Sequence, residues 1–206
     1  MAKWRRRPRW IIYVVAGAAV SSLGAAAIAT ALVLSAGQSA AASQPTPTAG
    51  YAVFGAPASA ADAMPAELAT EQTPGAEIRS LPTTRPGLLA WAVAGSGRLC
   101  VAGSDAGGSS EACAAATTVT GDPNTLLYSA TGEGTPSADT DEVDLVVGLA
   151  PDGVGDVTFR FSDGTSAQAT VIDNGFQLAT GHLVTISSLS WQDAAGATHT
   201  QEVGTR

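Results

Sequence analysis

The chain has 206 residues and a formal net charge of −8, from 18 Asp and Glu against 10 Lys and Arg. All 18 acidic residues follow position 60, where five Arg and no Lys accompany them, which leaves that part with a formal charge of −13. A surface this acidic argues against nucleic acid and against anionic lipid headgroups as binding partners.

Residues 1–10 form a basic stub that contains half of the basic residues of the chain, namely Lys3, Arg5, Arg6, Arg7 and Arg9. Residues 11–36 contain no charged residue, and as a helix they would extend about 39 Å at ~1.5 Å per residue, enough to cross a bilayer core of ~30 Å. The positive-inside rule predicts that residues 1–10 are cytoplasmic and that residues 37–206 are exported. The predicted localisation is therefore the cell membrane, with one pass through the lipid bilayer and an extracellular C-terminal domain.

A cleaved signal peptide is the alternative interpretation of the N-terminus. The small residues Ala40–Ala42 could provide a cleavage site. Cleaved signals, however, have apolar cores of about 7–15 residues, and residues 11–36 are much longer than that. We therefore expect an uncleaved signal anchor.

Residues 37–86 contain seven of the 11 prolines of the chain and are otherwise rich in Ala, Ser, Thr and Gly. Such a composition buries little apolar surface and predicts an extended linker. Pro65 is a suitable first residue for a short helix near 62–72, with Met64 and Leu68 on one face. We expect this piece, together with Tyr51, to dock onto the folded domain.

Residues 87–206 are predicted to form one exported β domain. Runs of β-branched and aromatic residues alternate there with Gly-rich turns, a pattern typical of an all-β sandwich or barrel. We expect eight to ten strands.

Two hairpin registers follow from the apolar pattern. A three-residue loop at residues 95–97 would place Val93 opposite Leu99 and Trp91 opposite Val101. A three-residue loop at residues 162–164 would place Phe159 opposite Ala167 and Val157 opposite Ala169, with Arg160, Gln168 and Thr170 facing outward.

Two further features are predicted near the C-terminus. A turn at residues 173–175 should start another hairpin. Within residues 182–191 the apolar positions change phase, because Val184 and Ile186 are even whereas Leu189 and Trp191 are odd. A β-bulge at residues 187–188 would turn all four toward the core.

Cys100 and Cys113 are the only cysteines of the chain. An even number of cysteines in an exported domain indicates a disulfide, which would close the flexible loop at residues 101–112.

Segments spread over residues 51–178 resemble a family of membrane-anchored exported actinobacterial proteins. The matching segments are VFGAPASAADAMP, WAVAGSGRLCV, the second Cys, GLAPDGVGDVTFRFSDG and VIDNGF. That family has no assigned activity, so the resemblance implies the topology and the fold and brings no mechanism.

Few residues of the sequence are candidates for catalysis. Ser96 lies in a Gly-Ser-Gly hairpin turn instead of the strand-to-helix elbow that a nucleophilic serine requires. His182 or His199 could serve a Ser-His-Asp hydrolase, although neither belongs to a recognisable motif.

The loop Gly132–Asp144 has the densest acidic cluster and offers weak calcium ligands, because Val143 interrupts the EF-hand pattern. The candidates are Asp139, Asp141, Glu142 and Asp144.

The sequence therefore favours a non-catalytic, membrane-anchored exported domain that binds a cell-envelope protein or wall partner. We expect no cofactor. The alternative is an exported hydrolase using His182 or His199.

Overall fold

The computed structural model describes residues 48–65, 68, 75–106, 108–119, 125–131 and 142–203. In these ranges the chain forms ten β-strands, one helical turn (α1, Ala116–Val119) and two 3₁₀ turns, at Ala52–Gly55 and Ala60–Asp62. The strands are β1 (Glu77–Leu81), β2 (Leu89–Gly95), β3 (Arg98–Asp105), β4 (Gly108–Ala115), β5 (Leu127–Thr131), β6 (Glu142–Leu149), β7 (Asp156–Phe161), β8 (Ser166–Thr170), β9 (Gly175–Gln192) and β10 (Thr198–Glu202).

The strands form two antiparallel sheets, which confirms the predicted all-β class. The first sheet has four strands in the order β1-β2-β3-β4. The second has six, in the order β5-β6-β9-β7-β8, with β10 paired to β9. The chain passes from one sheet to the other through α1, between β4 and β5.

The first core lies between the two sheets. Leu99 and Val101 of β3 contribute to it from the four-stranded sheet, and Val147 and Leu149 of β6 contribute from the other. All four side chains are buried. Burial of this kind stabilises a fold by roughly 25 cal/mol per Å² of apolar surface removed from water, so this core is a main source of stability.

A second core lies on the other face of β6, where the six-stranded sheet folds around its own apolar side chains. The 18-residue strand β9 makes this possible, because its first part pairs with β6 and its last part pairs with β7 and β10. The core includes Phe159, Phe176, Leu189 and Trp191. The Phe176 ring covers Gly148 directly opposite, where a side chain would collide with it.

The predicted β-bulge in β9 is confirmed. Arg160 pairs with Ser188 and Phe161 pairs with Ile186, so one extra residue of β9 lies between these pairs. The phase change brings Val184, Ile186, Leu189 and Trp191 to the core, as expected, and all four are buried.

The register of the second predicted hairpin is also confirmed. Phe159 lies opposite Ala167 and Val157 opposite Ala169, while Arg160, Gln168 and Thr170 are exposed. The turn near residues 173–175 is present as well, and it leads into β9, which pairs with β6 and β7 instead of continuing a hairpin with β8.

The register predicted for the first hairpin is wrong by one residue. Val93 lies opposite Cys100, and Leu99 lies opposite Ala94. The loop has two residues, Ser96 (φ 49°) and Gly97 (φ 72°), and both adopt the left-handed conformation of a type I′ turn. Because both faces of β2 and β3 are buried, the apolar pattern does not distinguish between the two registers.

The linker predicted for residues 37–86 contains parts of the fold. We call residues 48–65 the N-terminal strap. Tyr51 and Phe54 of the strap are buried in the first core, and Met64 packs on the opposite face of the four-stranded sheet, against the cluster that includes Trp91. β1, also within the predicted linker, pairs with β2. Of the helix expected near 62–72 beyond the strap, only Leu68 is described, and it is helical and buried.

The side chain of Asn174 holds the strap in place. Its Oδ1 accepts a hydrogen bond from the Val53 N–H at 2.8 Å, and its Nδ2 donates to the Ala150 carbonyl at 3.0 Å and to Asp152 Oδ1 at 2.8 Å. Asp152 Oδ1 also accepts from the Ala52 N–H at 2.7 Å. Asn174 is buried, so these bonds satisfy polar groups that water does not reach.

Asp62 fixes the other end of the strap to β1, the edge strand of its sheet. Asp62 Oδ1 accepts from the Ser80 N–H at 2.7 Å, and Oδ2 accepts from the Ser59 N–H at 2.6 Å. These backbone hydrogen bonds, first the one from Ser80, lower the pKa of Asp62 below its ordinary value of 3.8. The strap therefore covers backbone groups that an exposed sheet edge would present to other chains.

Among the residues that the structure describes, no helix has the length and apolar character needed to cross a membrane. The predicted span at residues 11–36 lies outside the described residues.

We predict that Asn174→Gly lowers the free energy of unfolding by about 2 kcal/mol, because it leaves the buried Val53 N–H and Ala150 carbonyl without their partners. Glycine tolerates the left-handed backbone of residue 174 (φ 65°), so the substitution removes the side-chain bonds without adding strain. Urea unfolding of the purified chain measures the change.

The matched control is Asp173→Gly, at the neighbouring left-handed position (φ 48°), whose residue is exposed. We expect it to change the unfolding free energy by less than about 0.5 kcal/mol. Equal effects of the two substitutions would contradict the role assigned to the Asn174 side chain.

Candidate functional site

The predicted disulfide between Cys100 and Cys113 is present. The two residues face each other across β3 and β4, with their Cα atoms 4.1 Å apart. The segment between them was expected to be a flexible loop. It continues both strands as a paired ladder as far as Asp105 and Gly108, so the disulfide joins two strands that backbone hydrogen bonds already hold together.

Within the described residues, a single group of side chains has metal-ligand spacing, formed by Cys100, Glu111 and Cys113. Both sulfurs are in the disulfide, so neither is available as a thiolate ligand. Glu111 Oε1 lies 3.2 Å from Cys113 Sγ, a contact without a hydrogen bond because the disulfide sulfur has no proton.

Of the four acidic residues predicted as calcium ligands, the structure describes only two. Asp139 and Asp141 lie outside the described residues. Glu142 and Asp144 belong to β6, so the strand includes the end of the predicted loop. Buried Val143 lies between them. Calcium binding by these four residues stays a prediction.

His182 is exposed on β9. In the part of the chain that the structure describes, its ring forms no hydrogen bond. Hydrogen bonds from Thr165 lower the pKa of Asp163, which lies in the β7–β8 turn, and the nearby His182 contributes less to the same shift.

His199 is the more organised of the two histidines. Its Nε2 lies 2.9 Å from Asp193 Oδ2, and its ring stacks on Trp191 with the ring centroids 5.8 Å apart. The same carboxylate closes the β9–β10 turn, because Asp193 Oδ1 accepts from the N–H groups of Ala195 and Ala197, each at 2.9 Å. His199 therefore covers one end of the second core and braces a turn.

A triad would also need a serine hydroxyl on the histidine. No described serine is hydrogen-bonded to either histidine ring, and both Asp193 oxygens are already bonded. Among the described residues, the structure brings together an acid and a histidine but does not place beside them the serine that the hydrolase hypothesis requires.

A polar groove of about 440 Å³ lies beside this pair, on the outer face of the sheet formed by β7, β8, β9 and β10. The loop containing Gly153 and the turn containing Ala194 approach each other so closely that a side chain at Gly153 would collide with Ala194. Five hydroxyl or amide side chains line the groove, from Thr158, Gln168, Ser190, Gln192 and Thr198.

Strand pairing places these groups in rows across the sheet. Thr158 lies opposite Gln168 on one side and opposite Ser190 on the other, and Gln192 lies opposite Thr198. Neighbouring strands in a sheet are about 4.8 Å apart, so each row presents polar groups at regular intervals. Within the described residues, none of the five side chains forms a hydrogen bond.

The charged groups of the groove are two carboxylates, Asp156 and Asp193, and no basic residue among those that the structure describes lines it. Thr170 Oγ1 donates to Asp156 Oδ1 at 3.0 Å. Asp193 is bonded through both oxygens, as described above. The groove is thus rich in hydrogen-bonding groups and mildly acidic.

The sequence did not indicate this groove. Each of its residues is a common surface residue, and they share a site only because three strand pairings bring them together. The outward positions of Gln168 and Thr170 were predicted, but β9 and β10 were not assigned to the same face.

Comparisons of the chain with protein-family models, with curated proteins and with solved structures find no match. The candidate site therefore rests on its own geometry.

The contact between His199 and Asp193 leads to a prediction about how the contribution of Asp193 to stability depends on pH. The hydrogen bond from His199 is the largest of the causes that lower the Asp193 pKa below 3.8, followed by the bond from the Ala197 N–H. A carboxyl group with a lowered pKa stabilises the fold above its ordinary pKa, and this contribution disappears as the pH falls through the lowered value.

We expect His199→Ala to raise the Asp193 pKa toward 3.8 without reaching it, because the two backbone N–H bonds remain. Carboxyl-carbon NMR titration measures the midpoint, and His182→Ala is the matched control, expected to leave the Asp193 midpoint unchanged. An unchanged midpoint in His199→Ala would contradict the assignment.

Proposed function

We propose that the chain is a membrane-anchored, exported, non-catalytic domain that binds a partner in the cell envelope. The observation that carries this proposal is the polar groove, where five hydroxyl and amide side chains make no hydrogen bond with described residues. The two carboxylates of the groove, in contrast, already have partners within the domain, Asp193 in the β9–β10 turn and Asp156 in Thr170 across the strand pair. A surface with unused hydrogen-bonding groups and no assembled nucleophile is suited to binding.

The membrane topology that we propose rests on the sequence. The uncharged residues 11–36 follow five basic residues, a pattern that favours a single span with a cytoplasmic N-terminus. The resemblance to membrane-anchored exported proteins supports the same arrangement.

The strap limits how far such a domain could extend from the membrane. Residues 37–47 connect the predicted span to the strap, and 11 residues reach at most about 40 Å. Since Gly50 and Ala52 are bonded to Asp152, the strap transmits this restraint to the β domain. The expected partner therefore lies in the envelope layer close to the membrane.

The second candidate function is an exported hydrolase, and the pair His199–Asp193 is the observation that favours it. A hydrolase would still need a serine brought to His199 or His182. We favour binding because no described serine is hydrogen-bonded to either histidine ring and because the His199 ring is stacked on Trp191.

Two measurements test the proposal. Alkaline phosphatase fused after Arg206 should be active, since we place the C-terminus outside the membrane, and an inactive fusion would contradict the topology. A fluorophosphonate probe should label no serine of the purified chain, with a known serine hydrolase treated in parallel as the positive control. Labelling that His199→Ala or His182→Ala abolishes would establish the hydrolase instead.

A further inference from the structure

The chemistry of the groove limits what it can bind. Trp191 is only 3% exposed, so the groove offers no large apolar or aromatic surface to an apolar ligand. Its volume of 440 Å³ is within the range of ~300–1,000 Å³ usual for small-ligand sites, but its lining is more polar than is usual for them. Recognition must therefore depend on hydrogen bonds.

The charges exclude two further classes of ligand. An anionic ligand would face Asp156 and Asp193, and the described lining contains no basic residue to balance its charge. A strongly basic peptide would need several free carboxylates, yet both Asp193 oxygens are occupied and one Asp156 oxygen is bonded to Thr170. The available groups are mainly neutral hydroxyls and amides.

Neutral hydroxyls and amides in rows are complementary to a ligand that carries many hydroxyl groups along its length. Each serine, threonine or glutamine side chain can both donate and accept a hydrogen bond. Thr158, Gln168 and Ser190 form one such row, and the rigid β pairing fixes their spacing before any ligand binds. Preorganisation of this kind reduces the entropic cost of binding.

We propose that the groove binds a neutral polyhydroxylated chain, that is, a glycan of the cell envelope. The inference rests on the proposed function and adds the chemical class of the partner and the residues that contact it. Thr158, Gln168 and Ser190 form the central contacts, and Gln192 and Thr198 extend them toward the β9–β10 turn.

The test is an NMR titration of the full chain with two neutral probes, cellotetraose and chitotetraose, the second of which carries N-acetyl groups. We expect saturable shifts for at least one probe, confined to backbone amides around residues 158, 168, 190 and 198. The double substitution Gln168→Ala with Ser190→Ala should weaken binding about tenfold or more, since each side chain provides a direct hydrogen bond.

The matched control is Ser166→Ala, an exposed serine on β8 outside the groove lining, which should leave the affinity unchanged. All variants alter solvent-facing positions, so thermal melting should confirm that they fold. A hexalysine peptide is titrated in parallel. If neither sugar binds, if the shifts lie elsewhere, or if hexalysine binds the groove instead, the glycan inference is overturned.

Sedimentation with purified cell-envelope fragments separates this failure from failure of the proposed function. Co-sedimentation of the chain without sugar binding would retain an envelope-binding function and reject the glycan inference. If the chain neither co-sediments nor binds a sugar, the proposed function and the glycan inference are both rejected. Co-sedimentation that the double substitution abolishes, with sugar binding, supports both.

Discussion

The apolar character of both faces of β2 and β3 is the constraint on which the rest of the fold depends. Leu99 and Val101 point to one side of the four-stranded sheet, and Trp91 and Val93 point to the other, each at most 2% exposed. A sheet with one apolar face needs one covering layer, whereas this sheet needs two. The six-stranded sheet covers the inner face, and the segment before β1 contributes to the cover of the outer face through Leu68.

This constraint explains why the N-terminal strap belongs to the fold. The strap starts in the first core with Tyr51 and reaches the opposite face of the sheet at Met64, so it passes around the edge strand β1. Its own sequence is poor in large apolar residues and resembles a linker. Its order depends on side chains far along the chain, above all Asn174, which is 121 residues from Val53.

The same constraint determined which features could be predicted from sequence. In β7 and β8 one face is exposed, so the alternation of Phe159 with Arg160 was sufficient to fix the register. The phase change within β9 likewise revealed its bulge. In the central parts of β2 and β3 both faces are apolar, and the turn conformation of Ser96, which the pattern does not encode, decided the register.

The candidate site was less predictable because it is a property of strand pairing. Serine, threonine and glutamine on a strand surface are ordinary, and Thr158 meets Ser190 only because the bulge inserts one residue of β9 into its pairing with β7. The bulge therefore contributes to both sides of this sheet. It turns Leu189 toward the second core, and it places Ser190 in the groove on the outer face.

The most direct test of the central claim, that the strap is an integral layer of the fold, is native-state hydrogen exchange at the Val53 amide. This N–H is bonded to Asn174 Oδ1 and buried, so it should exchange nearly as slowly as the most protected amides of β3. Exchange of the Val53 amide at the rate of an unstructured peptide, while β3 stays protected, would contradict this account. Residues 48–65 would then be a linker and not a layer of the fold.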